Sequence, residues 1–162
     1  GIVILLLLAE LLKDYSGSPG VELVALNGED YYSNPGQQSY LEMKKDGFDE
    51  IMLGVNLDGV GYLRGNTGYS LYELPSSIST LVEESLGSQA GLVKGEKWYQ
   101  GDHGLFVNRR VPALAFTSEK VEELVGSIIH TPKDETSVVE VGKLVEVATG
   151  LCGLIKGLNE GI

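Results

Sequence analysis

The stretch Val21-Glu-Leu-Val-Ala-Leu-Asn-Gly-Glu-Asp30 carries the most information about the fold. Its apolar run, residues 21–27, predicts a strand, and the scarcity of polar positions predicts that both strand faces are buried. Gly28 predicts a turn that presents Glu29 and Asp30 side by side beyond the strand. Such a pair suits metal-assisted hydrolysis, because one carboxylate can bind a metal while the other accepts a proton from metal-bound water.

Outward from this stretch, apolar strands alternate with helices. The predicted helices cover residues 2–15, 37–45 after a break at Asn34-Pro35-Gly36, 76–86, 119–125 and 136–158. The further predicted strands cover residues 50–57, 95–100 and 111–116. Residues 59–72 are rich in Gly, Tyr and Asn and predict a loop with irregular strand. The alternation predicts an α/β fold, a three-layer sandwich in which helices cover both faces of a mixed, mostly parallel sheet.

Length and charge narrow the possible functions. The chain has 162 residues, enough for one domain with a sizeable core, and 43% of them are hydrophobic. Its net charge of −11 argues against nucleic acid as a partner, because phosphate binding needs clustered Lys and Arg. An acidic field favours cationic substrates such as the free amino end of a peptide, although it is also consistent with nothing more than a soluble acidic surface.

The first helix and the single cysteine exclude further classes of protein and of metal site. The uncharged run that starts at Gly1 is far shorter than the roughly 20 apolar residues of a membrane span, and no signal-peptide pattern surrounds it. A helix that is apolar on nearly all sides indicates burial in a larger core, which suggests that polypeptide normally precedes Gly1. Cys152 is predicted to be a buried thiol, and one cysteine allows neither an internal disulfide nor a Cys-based zinc site. A soluble protein is expected, with a cytoplasmic location favoured.

Four short segments hold the residues that suggest chemistry. Ligands bind beyond the carboxyl ends of strands in such sheets, and Glu29, Asp30 and Asp58 all follow predicted strands. Zinc accepts imidazole nitrogen and carboxylate oxygen, so one metal could take Asp30 and His130 while a second uses Asp58. Each of the four segments can also be explained without a metal, as a helix cap, a turn or a hydrogen-bonded pair. The segments are Asn27-Gly28-Glu29-Asp30, Asn56-Leu57-Asp58, Gly101-Asp102-His103 and His130-Thr131-Pro132-Lys133-Asp134.

Taken together, these segments resemble the C-terminal part of the M28 family of zinc aminopeptidases, which also contains the glutaminyl cyclases. The first segment resembles the family's Asn-Gly-Glu-Glu element, and Gly101-Asp-His-Gly-Leu-Phe106 resembles its Ser-Asp-His-x-x-Phe element. Val111-Pro-Ala113 with Phe116-Thr-Ser118 resembles the strand that follows, and His130-Thr-Pro-x-Asp134 resembles the element that carries the last zinc ligand.

The resemblance implies roles for individual residues and a zinc-peptidase fold. It implies that Glu29 is the general base, that Asp30 and His130 bind one zinc, and that Asp58 binds the other. The implied substrate is the N-terminal residue of a peptide.

Four further residues are implied to lie around the site. Asp102 and Asp134 would orient ligands or loops, and His103 belongs to an element that lines the site. Tyr99 could donate a hydrogen bond to the tetrahedral oxyanion, with packing on the sheet as the alternative.

Departures from the family pattern lead to a second expectation. Asp30 stands where Glu is usual, so a metal would have to sit about 1 Å closer, and Gly101 stands where Ser is usual. No counterpart is found for the His-x-Asp element or for the bridging Asp of an Asp-Asn-x-Ser-Gly element, whose last residue Gly1 resembles. A catalytic zinc needs about three protein ligands, so the chain by itself is expected to bind zinc weakly or not at all and to be inactive.

Three functions remain open on the sequence. The chain is interpreted as one domain, residues 1–162, that forms the C-terminal portion of a zinc aminopeptidase truncated on its N-terminal side. A glutaminyl cyclase and a noncatalytic binding domain with a degenerate site are the alternatives. The apolar first helix is expected to expose a face for a partner, which could be the missing segment, a second copy or another chain.

Overall fold

The computed structural model describes residues 1–29 and 33–160, with the side chains of residues 1–29 and 33–159. Two short 3₁₀ turns, Gly47–Glu50 and Thr136–Val138, interrupt the connections. The elements in chain order are α1 (Ile2–Leu11), α2 (Pro35–Lys44), β1 (Gly54–Leu57), β2 (Thr67–Tyr72), α3 (Ser76–Gly87), β3 (Leu92–Lys94), α4 (Gly104–Val107), β4 (Ala113–Ser118), α5 (Val121–Ser127) and α6 (Val141–Glu160).

The four strands form one mixed sheet in the order β1-β4-β2-β3. β4 lies in the middle, pairing in parallel with β1 and antiparallel with β2, and β3 pairs in parallel with β2. The register places Gly54 opposite Ala113 and Tyr69 opposite Phe116. The prediction of an α/β fold with a mixed sheet is confirmed.

Alternating residues of β4 face two different layers. Leu114 and Phe116 are fully buried in the larger core, which α1, α3 and α6 cover. Ala113 and Ala115 face the opposite side, where they pack against a cluster with Trp98, and α2 and α4 lie in that layer. Because side chains alternate along a strand, β4 supplies both cores at once. Cys152 in α6 is buried, as predicted.

Helix α1 is buried on one side only. Ile4 and Leu8 are buried in the larger core, whereas Ile2 and Leu6 are 55% and 67% exposed. The helix ends at Leu11 rather than at residue 15. Its exposed side is therefore an apolar surface, as the sequence led us to expect. None of the helices in the described part of the chain combines the length and apolarity that crossing a bilayer requires.

The prediction of a strand over residues 21–27 is wrong. Residues 20–28 have neither helix nor strand pairing, and no backbone hydrogen bond joins residues 21–26 to another described residue. A strand exists only where a second strand offers its free edge, and apolar composition does not supply that neighbour.

The bounds of several other elements differ from prediction. β1 has only four residues, Gly54–Leu57, and a 3₁₀ turn at residues 47–50 precedes it. α6 begins at Val141, after another 3₁₀ turn at residues 136–138. The strand expected over residues 95–100 is wrong, since β3 ends at Lys94. Residues 67–72, expected to be irregular, form the regular strand β2 because both neighbouring strands pair with them.

Candidate functional site

Asp58 lies immediately beyond the carboxyl end of β1, as the sequence predicted. Its backbone N–H donates to the carbonyl of Phe116 at 3.2 Å, which fixes the residue against β4. Gly59 has a φ of +63°, and a Cβ there would lie 2.9 Å from the hydroxyl of Thr117. The turn after β1 therefore requires glycine, and it leaves the carboxylate of Asp58 exposed at the rim of the sheet.

Glu29 lies in a turn next to a backbone hydrogen bond that joins Asn27 to Gly36. Gly28 has a φ of +72°, which confirms the predicted glycine turn, and the N–H of Gly36 donates to the carbonyl of Asn27 at 3.1 Å. Glu29 is exposed at this turn. Asp30, the neighbouring candidate ligand, lies outside the described residues.

Asp102 lies near Asp58 and is hydrogen-bonded to α2. Its Oδ1 accepts a hydrogen bond of 2.7 Å from Nε2 of Gln37, in the first turn of α2. Burial raises the pKa of Asp102, the negative charge of Asp58 adds to the rise, and the hydrogen bond from Gln37 opposes it. Asp58 and Asp102 are thus close enough to repel each other, and Gln37 links Asp102 to the helix that follows the Glu29 turn.

Replacing Asp102 with asparagine should stabilise the protein at neutral pH. The folded state holds the Asp102 proton more tightly than the unfolded chain does, so the free energy of unfolding falls as the pH rises between the two pKa values. Asparagine does not ionise, so it removes this fall in stability, and it keeps an oxygen that accepts the hydrogen bond from Gln37. We expect a gain at pH 7 of the size typical of partly exposed charge pairs, about 0.2–1 kcal/mol, and no gain at a pH below both pKa values. Urea unfolding at the two pH values measures this gain in the free energy of unfolding. An equal gain at both pH values would show that it does not come from the raised pKa of Asp102.

His103 is buried, with 1% of its surface exposed. Its Nε2 lies 2.8 Å from the carbonyl of Trp98, and a carbonyl can only accept, so Nε2 carries the proton. Nδ1 then accepts from Nδ2 of Asn56 at 3.4 Å. The rings of Trp98 and Tyr72 pack against the imidazole with centroids 4.3 Å and 5.0 Å away. Both ring nitrogens are engaged, so His103 fixes the position of the segment that carries Asp102.

The other predicted site residues are exposed. Tyr99 is 72% exposed and touches the ring of Tyr72 edge-on, with the centroids 6.0 Å apart. His130 has a φ of +59° in the turn after α5, and Asp134 closes the same turn by donating its N–H to the carbonyl of Thr131 at 3.0 Å. This turn follows the helix whose Leu124 packs near Gly59, beside Asp58.

The described side chains do not form a metal centre by themselves. Within residues 1–29 and 33–159, no three His, Cys, Asp or Glu side chains are grouped so that they could hold a metal ion. The structure places Asp58 near Asp102 and ties Asp102 to α2 through Gln37. Sequence reasoning did not identify Gln37 or Trp98, the partners of Asp102 and His103. No signal in the sequence singles out Gln37.

Comparison with solved structures gives two close likenesses of fold. An aminopeptidase from Aneurinibacillus sp. strain AM-1 has a TM-score of 0.77 and 21% sequence identity, over 95% of this chain and 37% of that chain. A putative peptidase from Clostridium acetobutylicum has a TM-score of 0.69 and 14% identity, over 98% of this chain and 36% of that chain. The 162 residues thus span little more than a third of either neighbour.

Sequence comparison supports the same relationship. No curated protein matches the chain. The model of peptidase family M28, however, matches residues 1–155, which include every candidate site residue named above. The chain belongs to peptidase family M28.

Proposed function

We propose that this chain is part of a zinc-dependent aminopeptidase that removes N-terminal residues from peptides. The match of the M28 peptidase model to residues 1–155 carries the proposal. In it, Glu29 accepts the proton of the attacking water and passes it to the leaving amine. Asp30, Asp58 and His130 contribute metal ligands.

The geometry around two of these residues supports the proposal. Asp58 is held at the carboxyl end of β1 with its carboxylate exposed, where ligands bind in α/β sheets. Glu29 is exposed at a glycine turn, where it could reach a bound water. Asp102 lies beside Asp58, and the hydrogen bond from Gln37 keeps it in place. Within the proposal, Asp102 orients the edge of the sheet that carries Asp58, and His103 fixes the segment that carries Asp102.

The described residues do not fit a complete zinc centre, since they contain no cluster of three suitable donors. Zinc in a hydrolase polarises the scissile carbonyl and lowers the pKa of a bound water. Carboxylates and an imidazole are donors that zinc accepts, but about three must converge on a catalytic ion. We therefore propose that the chain alone binds zinc weakly and does not hydrolyse peptides.

The test compares two reactions in two forms of the protein. Residues 1–162 and a longer form that carries the rest of an M28 catalytic domain are assayed for release of nitroaniline from leucine p-nitroanilide. The same samples are assayed for cyclisation of a peptide with N-terminal glutamine, and bound zinc is measured by plasma mass spectrometry. We expect hydrolysis and bound zinc only in the longer form.

Each other outcome has a definite meaning. Cyclisation without hydrolysis would assign the longer form to glutaminyl cyclase activity and overturn the peptidase proposal. Neither reaction, with no zinc bound, would indicate a noncatalytic binding domain. Hydrolysis by residues 1–162 would contradict the proposal that the chain alone is inactive.

A further inference from the structure

The loop that follows Asp58 is bonded to the chain on both sides of the turn that carries His130. Residues 59–66, here called the brace loop, join Asp58 to the start of β2. The His130 turn lies between α5 and the 3₁₀ turn of residues 136–138. The brace loop contacts α5 before this turn and residues 138–143 after it, so it connects the rim that carries Asp58 to both ends of the segment that carries His130.

On the α5 side, the link is the hydroxyl of a buried tyrosine. Oη of Tyr62 donates to Oε1 of Glu123 at 2.8 Å, and Tyr62 is 6% exposed. Arg64 pairs with the same carboxylate, but its side chain is 62% exposed, and exposed ion pairs contribute little. The bond from the enclosed phenol to a carboxylate is charge-assisted, so it is the stronger link. Leu124 of α5 adds a packing contact, since its Cδ1 lies 3.7 Å from the place of a Cβ on Gly59.

Beyond the turn, the brace loop pairs with the backbone that precedes α6. The N–H of Leu63 donates to the carbonyl of Val138 at 2.9 Å. The N–H of Glu140 donates to the carbonyl of Gly61 at 2.8 Å, and the two bonds form a short antiparallel bridge. A Cβ on Gly61 would lie 2.6 Å from Cδ2 of Leu144, so the loop lies directly against α6.

Lys143 of α6 strengthens this attachment. Its Nζ donates to the carbonyl of Tyr62 at 2.6 Å and to the carbonyl of Gly65 at 2.7 Å. It also lies 3.3 Å from Oε2 of Glu140, and its side chain is 11% exposed. An enclosed ammonium is costly to release, because it would lose charge-assisted hydrogen bonds. The brace loop is thus fixed to α5 and to α6, and it can act as a rigid spacer between them.

We propose that the brace loop fixes the position of the His130 turn relative to Asp58, and that Tyr62 is the positioning residue, acting through Glu123. The inference rests on the proposed function, in which Asp58 and His130 both contribute metal ligands. Donors of one site have to be held to within about 0.5 Å, and residues with locked side chains supply that precision. Tyr62 is enclosed and reaches α5 with its hydroxyl, so it sets the distance between two donors that lie far apart in the chain.

This distance can be followed directly, because the chain contains only two histidines, His103 and His130. A nitroxide label is attached at Asp58→Cys in residues 1–162, with the native thiol removed by Cys152→Ala. The label speeds proton relaxation in nearby rings, and NMR measures this enhancement at both histidines. His130→Gln assigns the two ring signals. The readout depends neither on zinc nor on activity.

Tyr62→Phe keeps the ring and removes the hydroxyl. We expect the enhancement at His130 to fall, because the released turn spends time farther from the label. The enhancement at His103 should stay at the parent value, since its ring is held by the carbonyl of Trp98. Tyr69→Phe is the matched control, because Tyr69 is 5% exposed and lies on β2 in the larger core. It should leave both signals as in the parent.

Substitutions of Glu123 test the same hydrogen bond from α5. Glu123→Ala removes the acceptor and should lower the enhancement at His130 as Tyr62→Phe does. Glu123→Gln keeps an oxygen that accepts from Tyr62, so it should behave like the parent. Circular dichroism on heating verifies that each variant is folded. In a longer form that binds zinc, Tyr62→Phe should hold zinc about tenfold more weakly, and equal zinc retention would contradict the positioning role.

Four results with the label would overturn the brace-loop proposal. They are no enhancement at His130 in the parent, an enhancement in Tyr62→Phe that equals or exceeds the parent value, the same fall in Tyr69→Phe, and the same fall in Glu123→Gln.

Failure of the proposed function has a different signature. If the longer form neither binds zinc nor hydrolyses peptides while the label responds as expected, the peptidase proposal is wrong and the brace loop is supported. If the longer form hydrolyses peptides and the label does not respond to Tyr62→Phe, the brace-loop proposal is wrong and the peptidase proposal is supported.

Discussion

Replacing Phe116 with alanine should destabilise the protein by about 3–5 kcal/mol. Phe116 is fully buried in β4, the strand that joins the two halves of the sheet, and its ring lies 6.3 Å from that of Tyr69. Truncation removes apolar contact and leaves a cavity among α1, α3 and α6, which cannot close without moving the sheet. A domain of this size has a stability of about 5–15 kcal/mol, so the variant should unfold at a much lower urea concentration.

Val125→Ala is the control for this experiment. Val125 lies on α5 and is 62% exposed, so the same kind of truncation should change stability by no more than about 0.5 kcal/mol. Circular dichroism in increasing urea measures both variants against the parent protein. A Phe116→Ala midpoint close to that of Val125→Ala would mean that β4 is not the centre of the core.

Replacing Glu29 with glutamine should lower turnover by about 10²–10⁴-fold in a longer form that hydrolyses aminoacyl-nitroanilides. Glutamine is nearly isosteric with glutamate but cannot accept the proton of an attacking water. In the proposed mechanism Glu29 is not a metal ligand, so bound zinc should remain at the parent level. The loss should therefore appear in kcat, with zinc content by mass spectrometry unchanged.

Glu84→Gln is the matched control for Glu29→Gln. Glu84 is exposed on α3. Its substitution by glutamine makes the same change of charge and shape away from the candidate site. It should leave kcat within about twofold of the parent value. A protein that is indifferent to Glu29→Gln would be a binding domain with a degenerate site, and a variant that loses zinc along with turnover would make Glu29 a ligand.

Local signals in the sequence were sufficient to place several helices and turns. A helix was predicted to follow a break at residues 34–36, and α2 instead begins within that break, at Pro35, because proline fixes φ and needs no donor at the first helical position. Gly28 and Gly59 have the positive φ values that turns after apolar runs require. Each of these features depends on residues close together in the chain, which is why the sequence alone identifies them.

Strand pairing could not be predicted in the same way. Residues 21–27 are as apolar as any strand of the sheet, yet they have no neighbour to pair with. Residues 67–72 contain glycine and tyrosine and resemble a loop, yet they pair on both sides with β3 and β4. Pairing depends on the edge that the rest of the fold offers, and that information is not local.

The candidate site shows the same limit. Asp102 and His103 are adjacent in sequence, and the sequence left open a simple hydrogen-bonded pair. In the structure they have different partners, because Asp102 accepts from Gln37 while His103 donates inward to Trp98. The exposed turn of Asp58 was predictable from Asp-Gly turn chemistry. The partners of Asp102 and His103 come from α2 and from the loop after β3, elements that only the tertiary fold brings near.

The central place of β4 has a consequence for how the protein is made in the cell. β4 follows β1, β2 and β3 in the chain, yet β1 and β2 are held together through it. Until residue 118 emerges, the two earlier strands have no common neighbour, and α1 waits longer still for its partner α6. In the nascent chain, the leucine-rich α1 and the edges of β1 and β2 therefore stay uncovered until β4 and α6 have been made, which favours aggregation during that interval.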